Sequence, residues 1–332
     1  MSRSPVSADS ESGAKQSVLP PTIALAPFAS DRTLAAAALI CGYALIIGFT
    51  DNYVRLIAAE VGLWQFHATR ALMAMAMLGL AVPLMGLRLR PVRVGAVVAR
   101  SAIHGLAMLI YFGALAFLPV AIVAAGLFTA PIFVLLISRF AFGQTIGLAR
   151  IVAVATGFAG VLLVLGPQAM TGASLAAVLP VVAGALYALG NIATRTWCRN
   201  ESAETLLAGF FIALGLFGAI GVGVLALWPQ QVLPGPDGFV LRGAVAPSLH
   251  FLGWTFVQAA GALIGVGMMI RAYQLTDAGR ASVIEYVILP ASALWSWVIW
   301  GEVLTVMSVL GMALIVAAGV MIALGARALE GG

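Results

Sequence analysis

Charged residues are scarce in this chain. Only 9% of its 332 residues are charged, whereas 62% are hydrophobic, and the mean hydropathy is +1.09. Soluble domains average about 25% charged residues, so this sequence lacks the polar side chains that a water-facing surface requires. The composition therefore excludes a soluble globular protein and indicates an integral membrane protein.

Cysteine, histidine and lysine are also rare. The chain has two cysteines, three histidines and Lys15 as its single lysine, and no pair of them has metal-ligand spacing. Neither an HExxH motif nor a GxxxxGK[ST] loop occurs. These absences argue against a disulfide framework, a zinc centre and ATP hydrolysis, so we expect no enzymatic activity, no metal and no cofactor. The basic excess, which gives a pI near 9.7, consists almost entirely of arginine and reports membrane topology rather than a nucleic-acid partner.

Long apolar segments occupy most of the sequence. They run for about 20 residues, the length of a helix that spans a bilayer, and they lack the alternation of barrel strands. We predict an all-α integral membrane protein with ten transmembrane helices, at about 34–52, 66–86, 95–116, 119–138, 147–166, 175–195, 205–228, 250–271, 279–300 and 305–326. Residues 1–32 are rich in Ser, Pro and Ala, and we expect a disordered cytoplasmic tail rather than a cleavable signal peptide.

The sequence contains signs of an internal repeat. Three pairs of residues are each 159 positions apart: Pro131 and Pro290, Gly160 and Gly319, and Gly166 and Gly325. We predict five-helix repeats at 33–168 and 169–328, and because five is odd, the repeats must be inverted in the membrane. Each proline lies within an apolar segment and should interrupt its helix, so Pro131 and Pro290 are predicted hinges that gate opposite ends of one cavity.

The arginines indicate the orientation of the chain. With the amino terminus in the cytoplasm, 14 of the 17 basic residues lie at the cytoplasmic side, and the three exceptions are Arg55, Arg70 and Arg242. Both termini are then cytoplasmic. Arg70 is predicted to anchor the second helix at the outer interface, with a role in an outer gate as the alternative, and Asp51 is predicted to pair with Arg55.

Several motifs resemble those of a known family. The motifs are Trp300-Gly301-Glu302-Val303-Leu304 with Ala317-Ala318-Gly319-Val320, and Leu127-Phe128-Thr129-Ala130-Pro131 with Gly157-Phe158-Ala159-Gly160-Val161. Over about residues 34–326 the chain resembles the ten-helix, EamA-type branch of the drug/metabolite transporter superfamily. The resemblance implies a secondary-active or facilitative carrier in a bacterial-type inner membrane, working by alternating access.

The same resemblance suggests the substrate class. Because this branch contains exporters of amino acids, it implies amino-acid export first, with vitamins, nucleotide-like metabolites or organic cations as alternatives. A passive channel is the alternative of a different class. The expected partners are a small-molecule substrate and the lipid bilayer, without nucleic acid, and the chain is expected to act as a monomer.

Glu285 is the leading candidate for substrate or proton binding. It lies about 9 Å inside the ninth predicted helix, where a carboxylate is costly unless it faces water or a polar interior. The alternatives are that it reaches Arg280 or forms a structural pair with another helix. Ser282 shares its helical face, and Tyr286 is predicted to stack on a substrate.

Polar residues of three other helices complete the candidate site. His104 is either a proton relay or a hydrogen-bonding contact between helices, and the remaining residues line a cavity or join neighbouring helices. Besides His104, they are Tyr111, Tyr187, Asn191, Trp254 and Gln258.

Overall fold

The protein was analysed as a computed structural model. The structure describes residues 32–87, 89–114, 118, 120–166 and 175–330. The predicted tail, apart from Arg32, and the predicted repeat boundary at 168 and 169 lie outside the described residues. Every regular element within these ranges is helical, which confirms the predicted all-α fold class.

Thirteen α-helices make up the described part of the chain. In chain order they are α1 (Thr33–Asp51), α2 (Val54–Glu60), α3 (Leu63–Met85), α4 (Val94–Ala114), α5 (Val120–Leu127), α6 (Ala130–Phe140), α7 (Leu148–Leu165), α8 (Val178–Thr196), α9 (Ala203–Leu227), α10 (Leu249–Leu275), α11 (Ala278–Ile284), α12 (Ile288–Trp300) and α13 (Val306–Glu330). Short 3₁₀ turns at Leu175–Ala177, Gly235–Gly238 and Glu285–Val287 join some of them.

Ten segments of the described chain are long and apolar enough to cross a membrane, which confirms the predicted number. The first of them, Thr33–Glu60, combines α1 and α2 and therefore extends beyond the predicted end at residue 52. Large apolar side chains point outward from the bundle, as Leu72 and Phe140 do with exposures of 73% and 82%. An outward apolar face suits contact with lipid chains rather than with water.

Both helices with a predicted hinge are interrupted. α5 ends at Leu127, and α6 then begins with Pro131 in its first turn. The ninth span breaks in the same region of its sequence, where the 3₁₀ turn Glu285–Val287 precedes α12 and Pro290 lies in the first turn. Proline is tolerated there because first-turn N–H groups have no acceptor within the helix.

The helix packing is symmetric between the two halves of the chain. α1 packs against α10 and α12, and its counterpart α8 packs in the same way against α4, α5 and α6. α3 pairs with α9 and α7 pairs with α13, so each of these helices contacts its own counterpart. Gly160 and Gly311 allow the close approach of α7 and α13, since a Cβ at Gly160 would lie 2.7 Å from the Gly311 carbonyl oxygen. This pairing is the arrangement expected of two inverted repeats related by a twofold axis.

Candidate transport site

A central cavity lies among the helices, and polar side chains from both halves of the chain line it. About 110 Å³ of the cavity is open to the centres of water-sized molecules. Its charged residues are Asp51, Arg70 and Glu285. We call the end of the bundle where α1 begins at Thr33 the terminal end, and the end with the 228–248 connection the loop end. Asp51, at the end of α1, and Arg70, in the first third of α3, place this cavity toward the loop end.

Glu285 is held by two tyrosines. It is buried in the 3₁₀ turn, and each of its carboxylate oxygens accepts a hydrogen bond. The Tyr187 hydroxyl donates to Oε1, and the Tyr273 hydroxyl donates to Oε2 at 2.8 Å. Arg280, the alternative partner considered from the sequence, donates to the Thr33 hydroxyl at 3.2 Å. Glu285 therefore faces the bundle interior, where hydroxyl donors compensate part of its lost hydration.

Asp51, Gln258 and Arg70 form a second polar cluster in the same cavity. The Gln258 amide nitrogen donates to Asp51 Oδ1 at 2.7 Å, and its amide oxygen accepts from Arg70 Nη1 at 2.9 Å. Arg70 is only 4% exposed, so the predicted interfacial anchor is wrong: the side chain points into the bundle. Asp51 thus accepts from Gln258, and its predicted pairing with Arg55 stays a prediction because the Arg55 side chain lies outside the described residues. The Gln258 side-chain amide therefore bridges the Asp51 carboxylate and the Arg70 guanidinium.

A second, smaller cavity lies toward the terminal end. About 60 Å³ of it is open to water-sized molecules, and its walls include Arg100, His104, Asn191 and Thr194. Arg100 donates from Nε to the Thr194 hydroxyl at 2.9 Å and from Nη1 to the Leu206 carbonyl at 3.3 Å.

The two cavities adjoin near Glu285 and the groups that hold it. Glu285 lines only the central cavity and Tyr273 only the smaller one, whereas five residues line both, namely Tyr43, Met108, Tyr187, Phe210 and Val266. The hydrogen bond from Tyr273 to Glu285 therefore crosses the boundary between the two spaces. A change in the charge or position of the Glu285 carboxylate would therefore alter the hydrogen bonding of a residue that lines the smaller cavity.

The smaller cavity repeats the pattern of the central one. Residues of α4 that line it are each 158 positions before residues of α10 that line the central cavity: Arg100 and Gln258, His104 and Ala262, Met108 and Val266. Tyr43 and Tyr187, like Ile47 and Asn191, are 144 positions apart. Gln258 bonds to Asp51, and Arg100 at the related position bonds to Thr194, although the residue 144 positions after Asp51 is Arg195. The two spaces occupy related positions in the two halves of the fold.

The structure brings most of the predicted site residues to these two cavities. Ser282, Glu285, Tyr111, Tyr187, Gln258 and Pro131 line the central cavity, and His104, Tyr187 and Asn191 line the smaller one. Tyr286 does not reach either cavity: its hydroxyl donates to the Phe128 carbonyl at 3.1 Å, and its ring packs against Gly157. Trp254 stacks on Tyr53 with 3.7 Å between ring centroids and donates to His250.

Six charged or hydroxyl-bearing lining residues were not among the predicted site residues, namely Tyr43, Asp51, Arg70, Arg100, Thr194 and Tyr273. Arg100 and Asp51 lie inside apolar segments, and intramembrane charge is itself a functional signal, so the sequence could have identified both. The two tyrosines give no comparable signal.

Comparisons with known proteins agree with this geometry. Residues 34–166 match the EamA-like transporter family. The chain is 25% identical over 232 residues to a riboflavin transporter of Brucella anthropi, covering 69% of this chain and 76% of that protein. It is 26% identical to the pseudopaline exporter CntI of Pseudomonas aeruginosa, covering 66% of this chain and 71% of that protein. A solved crystal structure shares the fold with a TM-score of 0.64 at 20% identity, covering 88% of this chain and 99% of that one.

The described chain has ten segments long and apolar enough to cross a membrane, and together with the similarity to transporters they identify a multi-pass membrane transporter. Within that class, the chain is similar over residues 34–166 to the EamA-like transporter family, the family that its sequence motifs resemble.

Proposed function

We propose that this transporter is a carrier that exports a small zwitterionic metabolite, with amino acids as its first substrate class. The observation that carries the proposal is the presence of two carboxylates and one guanidinium in one cavity, from Asp51, Glu285 and Arg70. A substrate with both an ammonium and a carboxylate complements such a lining.

The two ends of the cavity have different chemistry. Glu285 is a ready acceptor for an ammonium group, because its present donors are tyrosine hydroxyls that can rotate toward other acceptors. Arg70 offers its remaining N–H groups to a carboxylate, and Gln258 links it to Asp51. Binding of a substrate carboxylate at Arg70 would therefore loosen the Gln258 bridge.

Alternating access fits the arrangement better than an open pore does. The central and smaller cavities adjoin at Tyr43 and Tyr187, and in each half of the fold the helix with a predicted hinge is interrupted. We propose a bacterial-type inner membrane with both termini in the cytoplasm, so that the smaller cavity lies on the cytoplasmic side.

A vitamin such as riboflavin is the second candidate substrate. Aromatic side chains of both repeats line the central cavity, among them Tyr111, Phe112, Phe128 and Phe210, and could stack on a flat ring system. The similarity to proteins named riboflavin transporters supports this alternative.

Counterflow in liposomes tests both proposals. The purified chain is reconstituted into liposomes that are loaded with an unlabelled amino acid or with riboflavin. The assay measures accumulation of the labelled compound inside the liposomes against its concentration gradient. A carrier saturates and shows counterflow, whereas a channel does neither. We expect counterflow with amino acids and its loss in Arg70→Gln, while Arg271→Gln, which removes an exposed charge, keeps it. Counterflow with riboflavin alone would replace the first candidate with the second, and a non-saturating flux would overturn the carrier.

A further inference from the structure

Arg100 is a buried cation without an acidic partner. It is 2% exposed, and no Asp or Glu among the described residues forms an ion pair with it. The other cavity arginine, Arg70, is linked to Asp51 through Gln258, and Arg150 lies 3.1 Å from Asp277. A buried charge is costly unless it is paired and hydrogen-bonded, so Arg100 stands out among the arginines inside the bundle.

The guanidinium of Arg100 retains hydrogen-bonding capacity. Of its five N–H donors, Nε donates to Thr194 and one Nη1 donor reaches the Leu206 carbonyl. Neither acceptor carries a charge. The guanidinium forms part of the wall of the smaller cavity, so its remaining donors can serve a molecule in that space.

Other polar groups lie in the walls of the smaller cavity beside Arg100. The Asn191 amide, the Thr194 hydroxyl and the Tyr273 hydroxyl lie in its walls beside Arg100. The Thr194 hydroxyl donates to the Gly190 carbonyl, and the Tyr273 hydroxyl donates to Glu285. The Asn191 amide nitrogen, for which the structure shows no hydrogen-bond partner among the described residues, is therefore the donor available to an oxygen atom beside Arg100. Among the described residues, no carboxylate side chain lines the space to repel an anion. The roughly 60 Å³ would accommodate a carboxylate group with its first carbon, since a water molecule needs about 10–15 Å³ on the same scale.

We infer that the smaller cavity is an anion-binding site in which Arg100 binds a carboxylate group. Arg100 occupies the position that corresponds to Gln258 in the related half of the fold, where a neutral amide bonds to Asp51. The carboxylate comes from the transported metabolite, and in that respect the inference rests on the proposed function. A free small carboxylate from solution is the other source with the same chemistry.

Thermal unfolding of the purified full-length chain, titrated with sodium acetate at constant ionic strength, tests the site. We expect acetate to raise the Tm of the wild type by at least about 2 °C at saturation, and chloride and phosphate to have a smaller effect. Arg100→Gln should abolish the acetate effect. Arg271→Gln is the matched control: it removes an exposed arginine near the same end of the bundle and should respond like the wild type.

A conservative variant, Arg100→Lys, keeps the test decisive if Arg100→Gln does not fold. Arg100→Lys keeps the charge but loses the two-point geometry of the guanidinium, and its half-saturating acetate concentration should be at least about fivefold higher. Equal half-saturation in Arg100→Lys and the wild type would overturn the inference, and so would an acetate effect that persists in Arg100→Gln. A wild type stabilised equally by chloride would refute the carboxylate assignment.

Counterflow distinguishes the source of the carboxylate and separates this inference from the proposed function. If the transported amino acid supplies the carboxylate, acetate competes with its counterflow in the wild type; lack of competition despite acetate binding assigns the site to a free carboxylate. Counterflow without any acetate stabilisation would overturn the proposed anion-binding site but not the proposed carrier function. Acetate stabilisation without amino-acid counterflow would support the anion-binding site and overturn amino acids as the proposed substrate.

Discussion

Replacement of Glu285 by glutamine is the sharpest perturbation that the structure offers. The carboxylate accepts from Tyr187 and Tyr273, one hydroxyl at each oxygen. Glutamine keeps the shape and retains one acceptor oxygen, but it removes the charge from both bonds. If the substrate ammonium replaces a tyrosine at this carboxylate, the variant loses at least one charge-assisted bond, and transport falls about tenfold or more, equivalent to about 1.4 kcal/mol.

Tyr273→Phe provides the matched comparison for this variant. Tyr273 bonds to Oε2 from the smaller cavity and does not line the central one. Loss of its hydroxyl should lower the free energy of unfolding by about 1.5–3 kcal/mol, the range for a hydrogen bond to a charged group. In a Glu285→Gln background the same change should cost less, because the charge that the hydroxyl solvates has already gone.

The assay measures counterflow per folded molecule and thermal unfolding on the same preparations. Glu285→Gln should keep its fold and lose transport. A structural role predicts the reverse, with lower thermal stability and unchanged transport per folded molecule. That reverse result, or additive effects of the two substitutions on stability, would refute the reasoning.

Three further predictions concern orientation, hinging and packing. A topology reporter fused after Glu330 should be active on the cytoplasmic side, and activity only in the periplasm would overturn the orientation. Pro290→Ala should slow counterflow more than it lowers the Tm, since alanine lets the helix straighten; equal losses would contradict a hinge role. Gly190→Ala should lower the free energy of unfolding by about 1–3 kcal/mol, because its Cβ would overlap the His104 ring, while Gly253→Ala, with open space at its Cβ, should not destabilise. Thermal unfolding of the two alanine variants checks this difference.

The membrane fold could be predicted from the sequence because its signals are strong and local. Apolar segments of about 20 residues define helices whatever their neighbours are, and proline removes a backbone donor wherever it stands. The predicted interruptions near Pro131 and Pro290 therefore agree with the structure. α2 was missed because it continues α1 after a short turn, and sequence alone gives no length limit for a helix beyond the bilayer.

Side-chain direction was harder to predict than helix position. Consecutive residues of a helix point about 100° apart, so Glu285 and Tyr286 could not both face one cavity. The sequence does not say which of them faces inward, because that depends on the rotation of the helix against its neighbours. Glu285 faces Tyr187 and Tyr273, and Tyr286 consequently points to Phe128.

The sequence interpretation of the arginines also missed two residues of the site. Arg70 is the eighth residue of α3 and Arg100 the seventh of α4, which places each about 10 Å from its helix end. At that depth an arginine can either extend to the membrane surface or turn inward, and its position in the sequence does not distinguish the two. Only the packing of α8, α9 and α10 around them decides for the interior, through Thr194, Leu206 and Gln258.

The two related cavities differ in charge, and that difference bears on how a substrate would move. Toward the loop end, a neutral amide at Gln258 lies between Asp51 and Arg70, so both signs of charge are present. Toward the terminal end, the corresponding position is Arg100, bonded to a hydroxyl. A fold that exchanges the shapes of its halves would therefore present one zwitterion with unequal environments at the two faces. Because such an inequality shifts the relative stability of the two bound states, the direction preference of the carrier would originate in these few side chains rather than in the shared helix scaffold.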